Sequence, residues 1–189
     1  YFNREQKSDI IREIVKVLEE DSSKVGSAIS TKDYDKFELR NAKFSWCEHL
    51  TLGVFDYFDS KEVDVYQLVP EEKYFTFDIP DMSSEWNDKI HSAWQWLTKE
   101  WEFDLPKNSK VATNLDALQG YTVSEILRWE EDYWEMFSGA GPDVKDEDTR
   151  IIPIGTIFGI DSTIVPALNL PIGEGIWRES RDANWNNWT

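Results

Sequence analysis

Ten Trp, ten Phe and seven Tyr are spread along this 189-residue chain, and they constrain its fold more than any other feature. Chains that stay disordered are poor in aromatics because they cannot bury enough apolar surface to offset the entropy of ordering. Rings in this number require a packed interior, with some left over for surfaces where an apolar body and a polar edge are both useful. The length suffices for one large domain or two small ones with a real core. The sequence therefore describes a folded protein.

The charge narrows what such a protein can do. A formal charge of −17 and a pI near 4.4 disfavour nucleic acid and anionic membranes as partners, since a polyanion gains nothing from displacing counterions on either. Excess carboxylates favour solubility, or steer in a basic partner. A single cysteine, Cys47, excludes an internal disulfide framework and fits a reducing, cytoplasmic setting. No run approaches the roughly 18 apolar residues of a membrane span; the longest apolar stretch, 151–170, is interrupted by Pro153, Gly155, Asp161 and Pro166. No signal peptide is visible, although the sequence opens on Tyr1 and not on Met.

Periodicity predicts an α+β fold, mostly antiparallel sheet with a few helices, in two subdomains meeting near Pro106 (1–106 and 107–189). Ile10, Ile11, Ile14, Val15, Val17 and Leu18 form a helical stripe over 8–20, with Ser8 as the expected cap. Residues 25–58 mix aromatic and β-branched side chains with charges and read as two or three short strands. One strand is expected across 63–69 and another over Tyr74-Phe75-Thr76-Phe77. Trp86, Ile90, Ala93, Trp94, Leu97 and Trp101 recur at three- and four-residue spacing, which predicts a helix from Ser83 or Ser84 to about Glu102. Beyond Pro106 the pattern gives a strand and helical turn closed by Gly120. It continues with a hairpin of 121–129 and 133–137 turning through Glu130-Glu131-Asp132, a loop at 138–142 and an acidic stretch at 143–148. Residues 153–158 fit a short helix or strand, Asp161 can cap one turn before Pro166, and 174–178 reads as a last strand.

Screens for catalytic and metal chemistry return little. There is no Gly-x-Ser-x-Gly elbow, and only His49 and His91 could act as imidazole bases. Cys47 and His49 would share one face of a strand, so an imidazole-activated thiol is the one enzymatic reading available, but no third orienting group can be named. Paired zinc-ligand spacings are absent, and 143–148 lacks the order of an EF-hand loop. Gly139-Ala140-Gly141 and Gly173-Glu174-Gly175 have no phosphate-binding context and read as turns. The sequence nominates no catalytic residue, metal ligand or cofactor.

Two resemblances add to this. Trp134-Glu135-Met136-Phe137-Ser138-Gly139, then an acidic spacer, Ile152-Pro153-Ile154-Gly155-Thr156-Ile157, Asp161-Ser162-Thr163-Ile164-Val165-Pro166, Leu170-Pro171-Ile172-Gly173 and Trp177-Arg178-Glu179 follow one another in order. Over about 111–188 this resembles an uncharacterised bacterial domain family grouped with the immunity proteins of polymorphic toxin systems. That resemblance implies a non-catalytic protein that neutralises a toxin by occlusion. Val69-Pro70-Glu71-Glu72-Lys73-Tyr74-Phe75-Thr76-Phe77 followed by Leu97-Thr98-Lys99-Glu100-Trp101 is similar to one half of a GyrI-like effector-binding domain. Such domains hold lipophilic cations in an aromatic pocket with a buried Glu; the motif that supplies that Glu is not recognisable after Trp101.

The leading expectation is an acidic binding protein whose partner is a basic protein toxin, met through Trp129, Glu130, Glu131, Asp132 and Trp134. The alternatives are a small-molecule pocket for a lipophilic cation built from Tyr74, Phe77, Trp86 and Trp94, and an enzyme using Cys47 and His49.

Overall fold

The computed structural model describes residues 2–188, and it is a mixed α+β fold with two sheets. The chain forms two compact units, one of residues 2–75 and 80–87, the other of 76–79 and 88–188. Pro106 lies inside the second.

The first unit opens with α1 (Arg4–Glu20). It starts four residues before the expected position because Asn3, not Ser8, is the cap: Asn3 and Gln6 exchange backbone and side-chain hydrogen bonds in a capping box. Ser8 sits inside the helix and donates to the Arg4 carbonyl. Ile10 and Ile14 bury against Ile29, Phe37 and Leu39 from β1 (Ala28–Ser30) and β2 (Lys36–Asn41). With β3 (Tyr66–Pro70) these strands make an antiparallel sheet in the order β1-β2-β3.

Two short helices, α2 (Phe44–Leu50) and α3 (Leu52–Phe58), stand where further strands were expected. Trp46 and Cys47 are buried on the inner side of α2, and Phe55 of α3 joins Cys47 and Ala42 in a second small cluster. Aromatic content had suggested strand here, but burial of a few large side chains against a neighbour outweighs local propensity. The expected strand at 74–77 is also absent: Glu72–Tyr74 is a 3-10 turn, and Phe77 is 61% exposed.

The second unit is a six-stranded sheet in the order β7-β4-β6-β5-β8-β9. Its strands are β4 (Lys110–Asn114), β5 (Glu125–Arg128), β6 (Tyr133–Phe137), β7 (Thr149–Pro153), β8 (Gly175–Trp177) and β9 (Asn186–Asn187). All pairings are antiparallel except β4 with β6. Strand alternation sends Val111, Ile126, Trp134, Met136, Ile152 and Ile176 to one face, where they form the main core. Onto that face pack α4 (Leu115–Leu118), α5 (Ile154–Ile160) and the 3-10 segment Ser162–Asn169, through Ala117, Leu118, Ile154, Ile157, Ile164 and Leu168. Asp161 caps the last of these, as its position before Ser162 predicted.

The long helix expected over 83–102 does not form; its central part is a 3-10 segment, Ser92–Leu97. In an α-helix residues two apart point in nearly opposite directions. Here Trp94 and Trp96 stack at 6.4 Å, and the Trp96 indole donates to the Thr156 hydroxyl of α5. The supposed apolar face is not continuous either: Ile90 is 73% exposed, Trp86 packs edge-on to Trp46 in the first unit, and Trp101 meets Phe103 and Phe158 in the second.

Candidate functional site

The face of the large sheet opposite its helices is formed by alternate residues, among them Lys110, Ala112, Glu125, Leu127, Tyr133, Glu135, Phe137, Ile151 and Trp177. Ile151 and Trp177 on this face are 57% and 39% exposed. A trough of about 420 Å³ runs over it, floored by Ala112, Leu127 and Glu135 and bordered by Trp129, Tyr133, Trp188 and the loop from Gly141 to Asp146. None of the residues lining it is Lys or Arg.

Each wall has a local cause. Strands β5 and β6 are antiparallel, with Glu125 opposite Phe137 and Leu127 opposite Glu135. The Gly141 N–H donates to the Glu125 carboxylate at 2.5 Å, which ties the loop to the sheet. A Cβ at Gly141 would lie 3.1 Å from a Glu125 carboxylate oxygen and 3.3 Å from the Phe137 ring, so both side chains would have to give by a few tenths of an ångström. On the opposite side Trp188 donates its N–H to the Gly175 carbonyl and lies over that glycine. The Glu135 carboxylate has no hydrogen-bond or ion-pair partner among the described residues, and the residue lines the trough.

The hairpin tip that joins β5 to β6 borders the trough. Glu130, Glu131 and Asp132 are exposed, and Trp129 is 49% exposed beside them. Arg128 braces the tip from the core side: its guanidinium donates to the carbonyls of Glu130, Glu131 and Leu170 and lies 4.9 Å from the centre of the Trp134 ring. The exposed carboxylates thus stand on a fixed backbone.

Trp134, expected beside Trp129 as a partner contact, is instead fully buried. It alternates with Tyr133 and Glu135 along β6, so its neighbours face the trough while it faces the core. Its indole nitrogen has no hydrogen-bond partner among the described residues.

The four residues of the expected cation pocket fall two to each unit. In the first, Tyr74 packs on Phe2 and donates to Asp35, while Trp86 meets Trp46 and His49. In the second, Phe77 covers Gly120, whose positive φ already excludes most side chains, and Trp94 stacks on Trp96.

Cys47 and His49 lie on a helix and not on a strand. Two residues apart on a helix they diverge: Cys47 is buried beside Ala42 and Phe55, and the His49 ring contacts Trp86. The shared face that an activated thiol would need is not formed. Among the described residues no three His, Cys, Asp or Glu side chains are grouped to hold a metal ion. No helix is long and apolar enough to cross a membrane, again among the described residues.

Sequence reasoning reached Trp129 and the acidic tip but missed Glu125, Glu135, Asp146 and Trp188 as neighbours. The alternation Tyr133-Trp134-Glu135-Met136-Phe137 carried part of that information, since it puts Glu135 opposite the core. The rest depends on the pairing of β8 with β5 and on the Gly141 loop, which no local pattern announces. No family model matches the chain, and no curated protein or solved structure is found similar to it.

Proposed function

We propose that this chain is a non-catalytic binding protein that receives a basic protein partner, as an immunity-type protein occludes a basic toxin. The observation that carries the reading is the acidic hairpin tip, Glu130 to Asp132, held rigid by Arg128 next to exposed Trp129 at the mouth of a trough without basic side chains. Carboxylates at a rim speed encounter with a cationic surface, and a half-exposed aromatic on a fixed backbone is suited to anchor it. The overall charge of −17 acts in the same direction at longer range. A reducing, cytoplasmic setting suits the buried free thiol of Cys47.

The test is capture by tagged protein, compared with a Glu130→Lys/Glu131→Lys/Asp132→Lys variant. A basic protein retained by the parent, released by salt and lost with the variant would support the reading. Equal capture by both would remove the tip from the interface.

A second reading, a small lipophilic cation, is favoured by one observation. A cavity of about 240 Å³ in the second unit is lined by Trp96, Trp101, Phe103 and Phe158, with Gln95, Lys99 and the two carboxylates of Glu100 and Glu102 alongside. Aromatic walls with nearby carboxylates suit a quaternary ammonium. A thermal shift with tetraalkylammonium ions that disappears in Trp101→Leu would favour it, and no shift would dismiss it.

A further inference from the structure

We infer that the trough on the open sheet face is a subsite for an arginine side chain of the protein partner, with Glu135 as its anion and Trp129, Tyr133 and Trp188 as its stacking walls. The inference rests on the binding reading above and names what the partner must present.

Three observations converge. Glu135 stands on the trough floor, and its carboxylate has no cation or donor among the described residues. Glu125, which also lines the trough, has one carboxylate oxygen taken by the Gly141 amide and so holds the wall, whereas the Glu135 carboxylate has no such tie. Exposed or half-exposed aromatics surround the open one, with Trp129 49% and Trp188 47% exposed.

That combination selects between cations. A lysine ammonium is compact and strongly hydrated, and it gains little from losing water between indoles. A guanidinium is planar and weakly hydrated; it stacks on aromatic faces while its N–H fork meets both oxygens of one carboxylate. A carboxylate at the floor with rings along the sides therefore fits arginine better than lysine. A neutral isostere of arginine keeps the stacking but loses the charge.

The experiment uses the full chain labelled with ¹⁵N, reading indole N–H resonances, with Trp129 and Trp188 assigned from Trp129→Phe and Trp188→Phe. The probes are acetylated, amidated tri-arginine, tri-lysine and tri-citrulline peptides. The expected result is saturable shifts at Trp129 and Trp188 with tri-arginine, about tenfold weaker binding of tri-lysine, and none with tri-citrulline. Glu135→Gln should weaken tri-arginine about tenfold, and Glu135→Asp should restore part of the loss; unchanged melting temperatures would show that both variants fold. Equal binding of the arginine and lysine peptides, indifferent to Glu135→Gln, would overturn the inference, because bulk attraction to an acidic chain behaves that way. Shifts confined to other indoles would overturn it too. Reversal of the hairpin tip tests the binding reading separately: loss of partner capture there, with none in Glu135→Gln, would retire the trough and leave that reading standing.

Discussion

Asp161 accepts four hydrogen bonds while only 1% of its side chain is exposed. The donors are the Val123 N–H and Arg178 Nη2, each at 3.1 Å to Oδ2, and the Thr163 N–H and hydroxyl at 3.1 and 2.5 Å to Oδ1. Arg178, equally buried, donates its remaining nitrogens to the carbonyls of Val123 and Arg181 and lies under the Trp185 ring at 4.2 Å. Burial pushes the guanidinium below its ordinary value, and the Asp161 charge opposes that. Removing one member of such a pair leaves the other charged and unpaired in the core. Asp161→Ala is expected to destabilise the second unit by about 3–5 kcal/mol, measured by denaturant unfolding. In the first unit, Lys73 and Tyr74 donate to the Asp35 carboxylate and hold it below the ordinary value. A lowered carboxyl contributes stability above its unfolded pKa, about 4, and loses it as pH falls through the lower folded value. Melting temperature should therefore fall less steeply below pH about 4 in Asp35→Asn than in the parent.

Among the elements, α5 shows how two small residues decide a packing. A Cβ at Gly159 would lie 2.0 Å from the Ser92 carbonyl oxygen, and one at Gly155 would lie 2.4 Å from Cγ of Trp96. The 92–97 segment can thus rest its backbone directly on the helix. Gly159→Ala should cost about 1–3 kcal/mol despite the better helix propensity of alanine, because the obstacle is backbone and cannot rotate away. At α1 the capping box predicts a loss of about 1 kcal/mol for Asn3→Ala, read in the same unfolding assay. These two cases also mark what the sequence made legible. The stripe at Ile10 and Ile14 is a local signal and placed α1; the hairpin of β5 and β6 followed from alternation on either side of three acids. The region 83–102 misled because Trp86, Trp94 and Trp101 match a helical period yet take their partners from different places: Trp46 for Trp86, Trp96 for Trp94, Phe158 for Trp101. Periodicity records where side chains could point, not what waits there.

For the molecule as a whole, charge is the property that acts at a distance. With −17 distributed over two units, association with a basic partner should slow by roughly tenfold or more between low and high salt. Stopped-flow rates across ionic strength would check this, and a flat dependence would argue for a neutral partner surface. The α+β class was readable because it rests on composition and short-range pattern, but the expected excess of strand was not met: among the described residues, helical and 3-10 segments hold more residues than the nine short strands. The order β7-β4-β6-β5-β8-β9 was not, since it depends on which distant strands meet. That order also bears on how the protein reaches its final shape. Glu125 faces Phe137 across a tight hairpin but meets Trp177 only after a long excursion of chain through β7 and α5. Closing a short loop is fast, whereas closing a long one must wait until its entropy cost is offset by contacts. The β5–β6 hairpin should therefore appear early in refolding and the Trp188 wall late, so the protein would hold its acidic tip before it has the groove beside it.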